Sequence, residues 1–233
     1  MSAADDLVIA VDGPAGSGKS TVCRGVAVKL GMRYLDTGAM YRAMTVSVLA
    51  AGVDVSDEAA VMAVAEQTVI TSGTDPSDPG IWLGAIDVSE SIRGSEVTAA
   101  VSAVSAVPGV RYRLVEIQRL QVQAARDAGV GIVVEGRDIG TVVLPDADLK
   151  VFLVADPVIR AERRALENSA EGHLEQAFIA ATHEALRKRD AYDSGREISP
   201  LVKAADARVV DTTNLTLPEV IEQVCALAVG ARQ

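Results

Sequence analysis

Val8-Ile9-Ala10-Val11-Asp12-Gly13-Pro14-Ala15-Gly16-Ser17-Gly18-Lys19-Ser20-Thr21 joins a short apolar run to a glycine-rich turn, and a helical pattern follows in Val22, Val26 and Leu30. Gly13, Gly18, Lys19 and Ser20 satisfy the spacing G-x-x-x-x-G-K-[ST], so Gly13 to Thr21 reads as a phosphate-binding loop. Glycine lets the backbone wrap its N–H groups around a polyphosphate, and the helix opening near Lys19 aims its positive end at the same anion. Lys19 would reach the β and γ phosphates as a point charge. The Ser20 hydroxyl would hold Mg2+. A bare strand-to-helix turn without a ligand needs none of this chemistry.

A chain of 233 residues is long enough for one large α/β domain with insertions. Its 22 Lys and Arg face 32 Asp and Glu, a net charge of −10 that repels nucleic acid and anionic membranes. The expected partner is therefore a small anion held locally. Cys23 and Cys225, with His173 and His183, are the only cysteines and histidines, too few for a structural zinc site or a disulfide framework. The acidic start, Met1 to Asp6, leads into an apolar run too short for a signal or membrane segment, and a cytoplasmic location is expected; a monomer is expected as well. Asn214-Leu215-Thr216 fits a glycosylation triplet but has no role without secretion.

Outward from the loop, Gly31 stops the first helix and Arg33-Tyr34-Leu35 begins a second strand, followed by Asp36-Thr37-Gly38 and a helix opening at Ala39. Strand ends face the ligand crevice in an open parallel sheet, which places Asp36, Thr37, Tyr41 and Arg42 beside the phosphates. A helix is expected over Ser56 to Ala65, with Val61, Met62 and Ala65 inward. Period-two runs at Thr68–Thr71, Ile81–Leu83 and Ile86–Val88, split by the turn-rich residues 75–80, predict a small antiparallel sheet with Trp82 packing it. After the small-residue stretch Val97 to Val107, Pro108 starts a helix to about Asp127, with Val110, Leu114, Ile117, Leu120 and Ala124 at core spacing. Arg111 in its first turn is disfavoured by the helix dipole and needs a partner such as an anion or a base edge. Gly131–Val134, Leu149–Val154 and Ala207–Asp211 complete five strands alternating with helices, a parallel sheet covered on both faces.

Between the last two strands a helical hairpin is expected, from Pro157 to a break at residues 170–172 and from Leu174 to Tyr192. Its seven Lys and Arg balance seven Asp and Glu over 157–196, yet the arginines are grouped. Solvated i,i+4 pairs such as Arg163 with Glu167 are one reading. A lid that brings Arg160, Arg164, Arg189 and Arg196 to a transferring phosphate is the other, and it is favoured by the loop upstream. The expected division is a core over 5–36, 94–156 and 197–233, a monophosphate-binding region with the small sheet over 37–93, and a lid over 157–196.

The chain has neither the D-x-x-G step nor the N-K-x-D base reader of a GTPase switch. A phosphotransferase needs a second anion site facing the loop, and Arg42, Arg137 and the lid arginines supply one. An alcohol acceptor would require a carboxylate base such as Asp36. A phosphate monoester requires none, because its second ionisation near pH ~6 leaves the oxygen charged at neutrality. Both readings stay open on this ground, as does a nucleotide-binding module without catalysis, although a mere ATP binder has no use for clustered arginines.

Nearly the whole chain resembles the bacterial cytidylate kinase family of nucleoside monophosphate kinases. The resemblance runs through IAVDGPAGSGKST, YLDTGAMYRA, SIRGSEVTAAVSAVSAVPGVR, VVEGRDIGTVVLPDADLKVFL, RAERR, RKRDAYDSGR and SPLVKAADARVVDTTN. DTGAMYR and EGRDIGTVV are its most specific parts. It implies a phosphate-loop kinase fold, ATP as donor, Mg2+ as cofactor, and CMP or dCMP as acceptor. It further implies catalytic roles for Lys19, Arg137, Arg160, Arg164 and Arg189. The acceptor phosphate would meet Arg42 and Arg137, and Ser102, Arg111 and Asp138 would read cytosine. Thr37, Tyr41, Gly136 and Arg196 would complete the acceptor site, Arg189 and Asp193 would lie near the sugar, and ATP's adenine near Thr212-Thr213-Asn214. Cytosine presents an amino donor at N4 and acceptors at N3 and O2, which a carboxylate and a cation complement. Glu135 departs from the aspartate often found before G-R-D in this family.

Overall fold

A computed structural model describes residues 6–168 and 176–231; the expected break at 170–172 and the helix start at Leu174 lie outside the described residues. The order of elements is β1 (Val8–Asp12), α1 (Lys19–Leu30), β2 (Arg33–Asp36), α2 (Thr37–Ala50), α3 (Glu58–Gln67), β3 (Ile70–Ser72), β4 (Ile81–Leu83), β5 (Ile86–Asp87), α4 (Ser95–Val104) and α5 (Pro108–Asp127). Then come β6 (Ile132–Glu135), β7 (Leu149–Val154), α6 (Pro157–Asn168), α7 (Gln176–Ser194), β8 (Arg208–Asp211) and α8 (Leu217–Gly230). Five parallel strands pair in the order β2-β6-β1-β7-β8, and β3-β4-β5 form a separate antiparallel sheet.

The near-continuous apolar strands follow from burial on both faces. Side chains alternate along β1, so Ile9 and Val11 join Val22, Cys23, Val26, Val220 and Val224 of α1 and α8 on one face. Val8 and Ala10 join Met40, Met44, Val61, Val110 and Leu114 on the other, where Ile70 and Ile81 of the small sheet also pack. β1 therefore sits mid-sheet with its carboxyl end between those of β6 and β7, at the point where the chain's order reverses and a crevice opens. Gly13 takes φ 152° there, and a Cβ would lie 2.3 Å from the Leu153 carbonyl oxygen. No other residue fits that close approach of loop to β7.

Most elements fall where the sequence places them, with four corrections. α2 begins at Thr37, earlier than Ala39, because the Asp36 side chain caps it by accepting from Ala39 N–H at 2.9 Å. α3 begins at Glu58, two residues past Ser56, for the same reason: Asp57 accepts from Ala60 N–H. β3 starts at Ile70, since Thr68 turns its hydroxyl back to the Val64 carbonyl and ends α3. In α5, Leu120 and Ala124 are exposed; the buried stripe is Val110, Arg111, Leu114, Gln118, Val122 and Ala125, two of them polar. Trp82 packs over Gly80 and Gly73, where a Cβ on Gly80 would meet its ring at 2.4 Å.

The small sheet is tied to the large one at an edge. Tyr34 N–H of β2 donates to the Thr74 carbonyl at 2.9 Å. Arg24 of α1 grips the same loop through the Pro76 and Ser77 carbonyls at 2.7 and 3.1 Å.

Candidate active site

The loop after β1 is held from below and from the side. Lys19 is buried, its Nζ donating to the Pro14 carbonyl at 2.7 Å, while Ser20 and Thr21 are exposed at the mouth of α1. Burial, and then the Arg137 guanidinium, weaken the charge of Lys19 and push its pKa down. Glu135, at the end of β6, is pushed up by burial and by the Asp36 carboxylate, against the charge of Lys19 and hydrogen bonds from the Tyr34 and Ser20 hydroxyls. A buried carboxylate beside an exposed hydroxyl at the loop is a hard oxygen donor set of the kind a small divalent cation takes.

Arg160 belongs to the base of the hairpin. From the first turn of α6 its Nη1 donates to the Ala15 carbonyl at 2.9 Å and to Asp190 of α7, and the other oxygen of Asp190 accepts from Ala15 N–H at 3.2 Å. Both helices are thus latched to the phosphate loop, a single backbone residue supplying both acceptor and donor. Gly16 permits the packing, since a Cβ would meet the Arg160 carbonyl at 3.0 Å. Arg163 reaches Thr212 through its hydroxyl and carbonyl at 2.8 and 2.7 Å, and Glu167 pairs with Arg164, so the alternative reading of an Arg163–Glu167 pair is not the arrangement found. Tyr34, Asp190 and Asp12 were missed by the sequence reading. Asp190 stands within RKRDAYDSGR among three expected residues, Arg189, Asp193 and Arg196, and Asp12 ends the loop strand, but neither carries a motif position of its own.

A group of cations opens toward the loop. Arg42 donates to the Ile92 carbonyl at 2.8 Å and to the Thr98 hydroxyl at 3.0 Å, and has no carboxylate partner among the described residues. Burial pushes its pKa down, and so do Arg164 and Arg137 nearby. Arg189 is pushed down to about 10 by burial and then by Arg137, with Arg42 and Arg164 adding to it against the opposing charge of Asp193. Lys19, Arg42, Arg137, Arg164 and Arg189 therefore repel one another across one space, which an anion would relieve.

On the other side of Arg137 the charges are paired. Arg111 Nη2 meets Asp138 Oδ2 at 2.6 Å with both side chains buried, and Arg111 Nη1 donates to the Ser105 carbonyl at 3.1 Å. Its guanidinium also lies over the Tyr41 ring, 5.2 Å from the centroid. The partner required by its place in α5 is thus a carboxylate of this chain. Asp193, 1% exposed, takes Arg137 Nε on one oxygen at 3.2 Å and Arg196 on the other. Thr37 donates to the Glu135 carbonyl at 2.7 Å, and Gly136 makes room for it: a Cβ there would sit 2.7 Å from the Thr37 hydroxyl. Ser102 lies half-buried on α4, its carbonyl accepting from Ser105. Among the described residues no helix is long and apolar enough to cross a membrane.

Residues 9–229 match the family model described as cytidylate kinase. A cytidylate kinase of Streptomyces avermitilis is 55% identical over 221 residues, 95% of this chain and 92% of that protein. One of Streptomyces griseus is 53% identical over 231 residues, 99% of this chain and 96% of that one. A solved structure of an uncharacterized protein from Eubacterium ventriosum shares the fold at a TM-score of 0.50 and 12% identity, covering 95% of this chain and 98% of that one. With the loop, the arginine cluster and the buried Arg111–Asp138 pair in their places, the chain belongs to the cytidylate kinase family of nucleoside monophosphate kinases.

Proposed function

We propose that the chain transfers the γ-phosphoryl group of ATP to CMP and dCMP, giving CDP and dCDP by direct in-line displacement. The observation that carries this reading is a buried carboxylate–guanidinium pair, Asp138 and Arg111, lying beside arginines that lack carboxylate partners among the described residues. Asp138 accepts from cytosine N4 and Arg111 donates to its acceptor edge, with Ser102 and Tyr41 around the base. Uracil would turn an acceptor toward Asp138 and leave a buried carboxylate without its donor, which disfavours UMP. Arg42, Arg137 and Arg196 hold the acceptor phosphate, and Arg189 and Asp193 lie near the sugar.

The donor phosphates lie in the loop from Gly13 to Thr21, with Lys19 on the transferring group. Arg160 is held against Ala15, and Arg164 and Arg189 approach from the hairpin; together they neutralise charge as the phosphoryl group moves. The acceptor oxygen is ionised at neutral pH, so no side chain need take a proton. Asp36 is engaged as the α2 cap, which argues against an alcohol kinase with Asp36 as base. Ser20, with Glu135 behind it, would hold Mg2+, which supplies charge neutralisation at the β and γ phosphates. Residues 37–93 form the monophosphate-binding region and 157–196 the lid, in an enzyme that works as a cytoplasmic monomer. A coupled ADP-release assay across CMP, dCMP, UMP, AMP and shikimate tests the reading. Strong turnover of CMP and dCMP over the others is expected; preference for UMP would sink the assignment of Asp138 and Arg111.

A further inference from the structure

Asp12 is a charged side chain in the middle of the sheet that the phosphate-transfer roles leave unused. It ends β1 and directly precedes Gly13, and it is 4% exposed. Its two oxygens accept one backbone N–H each, Oδ1 from Ile139 and Oδ2 from Gly140, both at 2.8 Å. Those amides immediately follow Arg137 and Asp138 in the turn after β6. The same turn is held at its start by Gly136 N–H on the Val11 carbonyl at 3.0 Å, and at its far end by Arg119 on the Val142 and Val143 carbonyls. The groups facing Asp12 are Asp138, Lys19 and the stem of Lys150, whose ammonium is paired with Asp206. Both oxygens of Asp12 are thus engaged by the turn.

We infer that Asp12 is a positioning residue that fixes the turn bearing Arg137 and Asp138 to the first residue of the phosphate loop, so that acceptor and donor sites share one rigid junction. The inference rests on the acceptor reading proposed above. Two amides converging on one carboxylate make a fork that a carboxamide cannot reproduce, because its nitrogen would face an N–H. Burial raises the Asp12 pKa to about 6, against the two amide bonds, so the carboxylate is kept in an unfavourable place for the sake of this contact.

Asp12→Asn tests this. Its KM for CMP should rise about tenfold or more, the value of one charge-assisted hydrogen bond, and its preference for CMP over UMP should fall by a similar factor. Equilibrium binding of a fluorescent ATP analogue should stay within about twofold of the parent. Amide exchange at Ile139 and Gly140 should quicken about tenfold while the rest of β6 and β1 stays protected. Gly140→Ala approaches the same junction with the Asp12 charge intact, its Cβ lying 3.2 Å from Lys150 Cδ and 3.4 Å from Asp12 Oδ2, and should shift the same readouts several-fold. It also decides the matter should Asp12→Asn fail to fold. Loss confined to ATP binding would mean that Asp12 acts through Lys19, and equal loss on both substrates together with thermal stability would make it structural; either overturns the inference. Unchanged exchange at the two amides overturns it as well. A parent enzyme that ignores CMP while the exchange result holds would instead remove the acceptor reading and leave the junction standing.

Discussion

The two halves of the site treat buried charge in opposite ways. At the base Arg111 has its counter-ion in Asp138, and at the border with the phosphates Asp193 takes both Arg137 and Arg196. On the phosphate side Lys19, Arg42 and Arg189 have no carboxylate bonded to them among the described residues, and burial and like charges push all three downward. The difference matches what each half must recognise. A neutral base is read by fixed donors and acceptors, which internal pairing holds in place; a polyphosphate is read by charge, which internal pairing would cancel.

The contrast predicts opposite signs for similar substitutions. Lys19→Met should lower kcat about a thousandfold, roughly 4 kcal/mol of lost charge stabilisation, in single-turnover measurements with saturating ATP and CMP. Retained kcat would show that the arginines alone balance the transferring charge. Asp193→Asn should cut the unfolding free energy by about 3 kcal/mol in denaturant titration, because it strands two guanidinium groups, and should make inorganic tripolyphosphate more stabilising than in the parent. Asp138→Ala should reduce kcat/KM for CMP about a hundredfold with little change for UMP, a loss of about 2.7 kcal/mol typical of an unmet buried hydrogen-bonding pattern. Equal losses on the two nucleotides would place Asp138 in scaffolding.

Arg189→Met carries the sharpest sign. Removing a half-buried cation that others repel should stabilise the nucleotide-free enzyme by on the order of 1 kcal/mol, seen as a raised melting temperature, while turnover falls. A lower melting temperature would show that Arg189 is compensated after all. The smallest effect is a fraction of a proton. Lys19 is lowered from 10.5, so above that lowered value the free enzyme holds the group partly neutral, and a bound polyphosphate restores its charge. Calorimetry of ATP binding in buffers of different ionisation enthalpy should therefore show proton uptake that grows with pH until the ordinary lysine value is passed. Lys19→Met should abolish it. The same shift makes the unfolded chain bind more protons in this range, so this group's contribution to stability rises with pH there.

Much of this arrangement was legible in the sequence where local chemistry carries the signal. The loop spacing, the five strands and the turn-rich insertion all depend on neighbours a few residues apart. Partners far along the chain were not legible: Tyr34 to Glu135, Asp12 to Gly140 and Ala15 to Asp190 span 101, 128 and 175 residues. In α5 the sequence offers more apolar residues than one face holds, so spacing alone admitted Leu120 and Ala124. The buried face instead contains Gln118 and Arg111, and Arg111 turns inward to meet Asp138. Grouping of the hairpin arginines was readable, but their separate duties were not: Arg160 grips the loop, Arg163 holds Thr212, and Arg164 bonds Glu167 while its charge bears on Arg42 and Arg189.

The tie between Tyr34 and Thr74 gives the small sheet a duty apart from catalysis. β2 is the outermost strand of the large sheet, and outermost strands offer unpaired amides that recruit strands from other molecules. By taking the Tyr34 amide, with Arg24 clamping the same loop, the insertion blunts that edge. A shortened chain lacking residues 68–89 would therefore suffer twice: its bare rim would invite self-association, and Tyr34 would lose the backbone anchor from which its hydroxyl reaches Glu135.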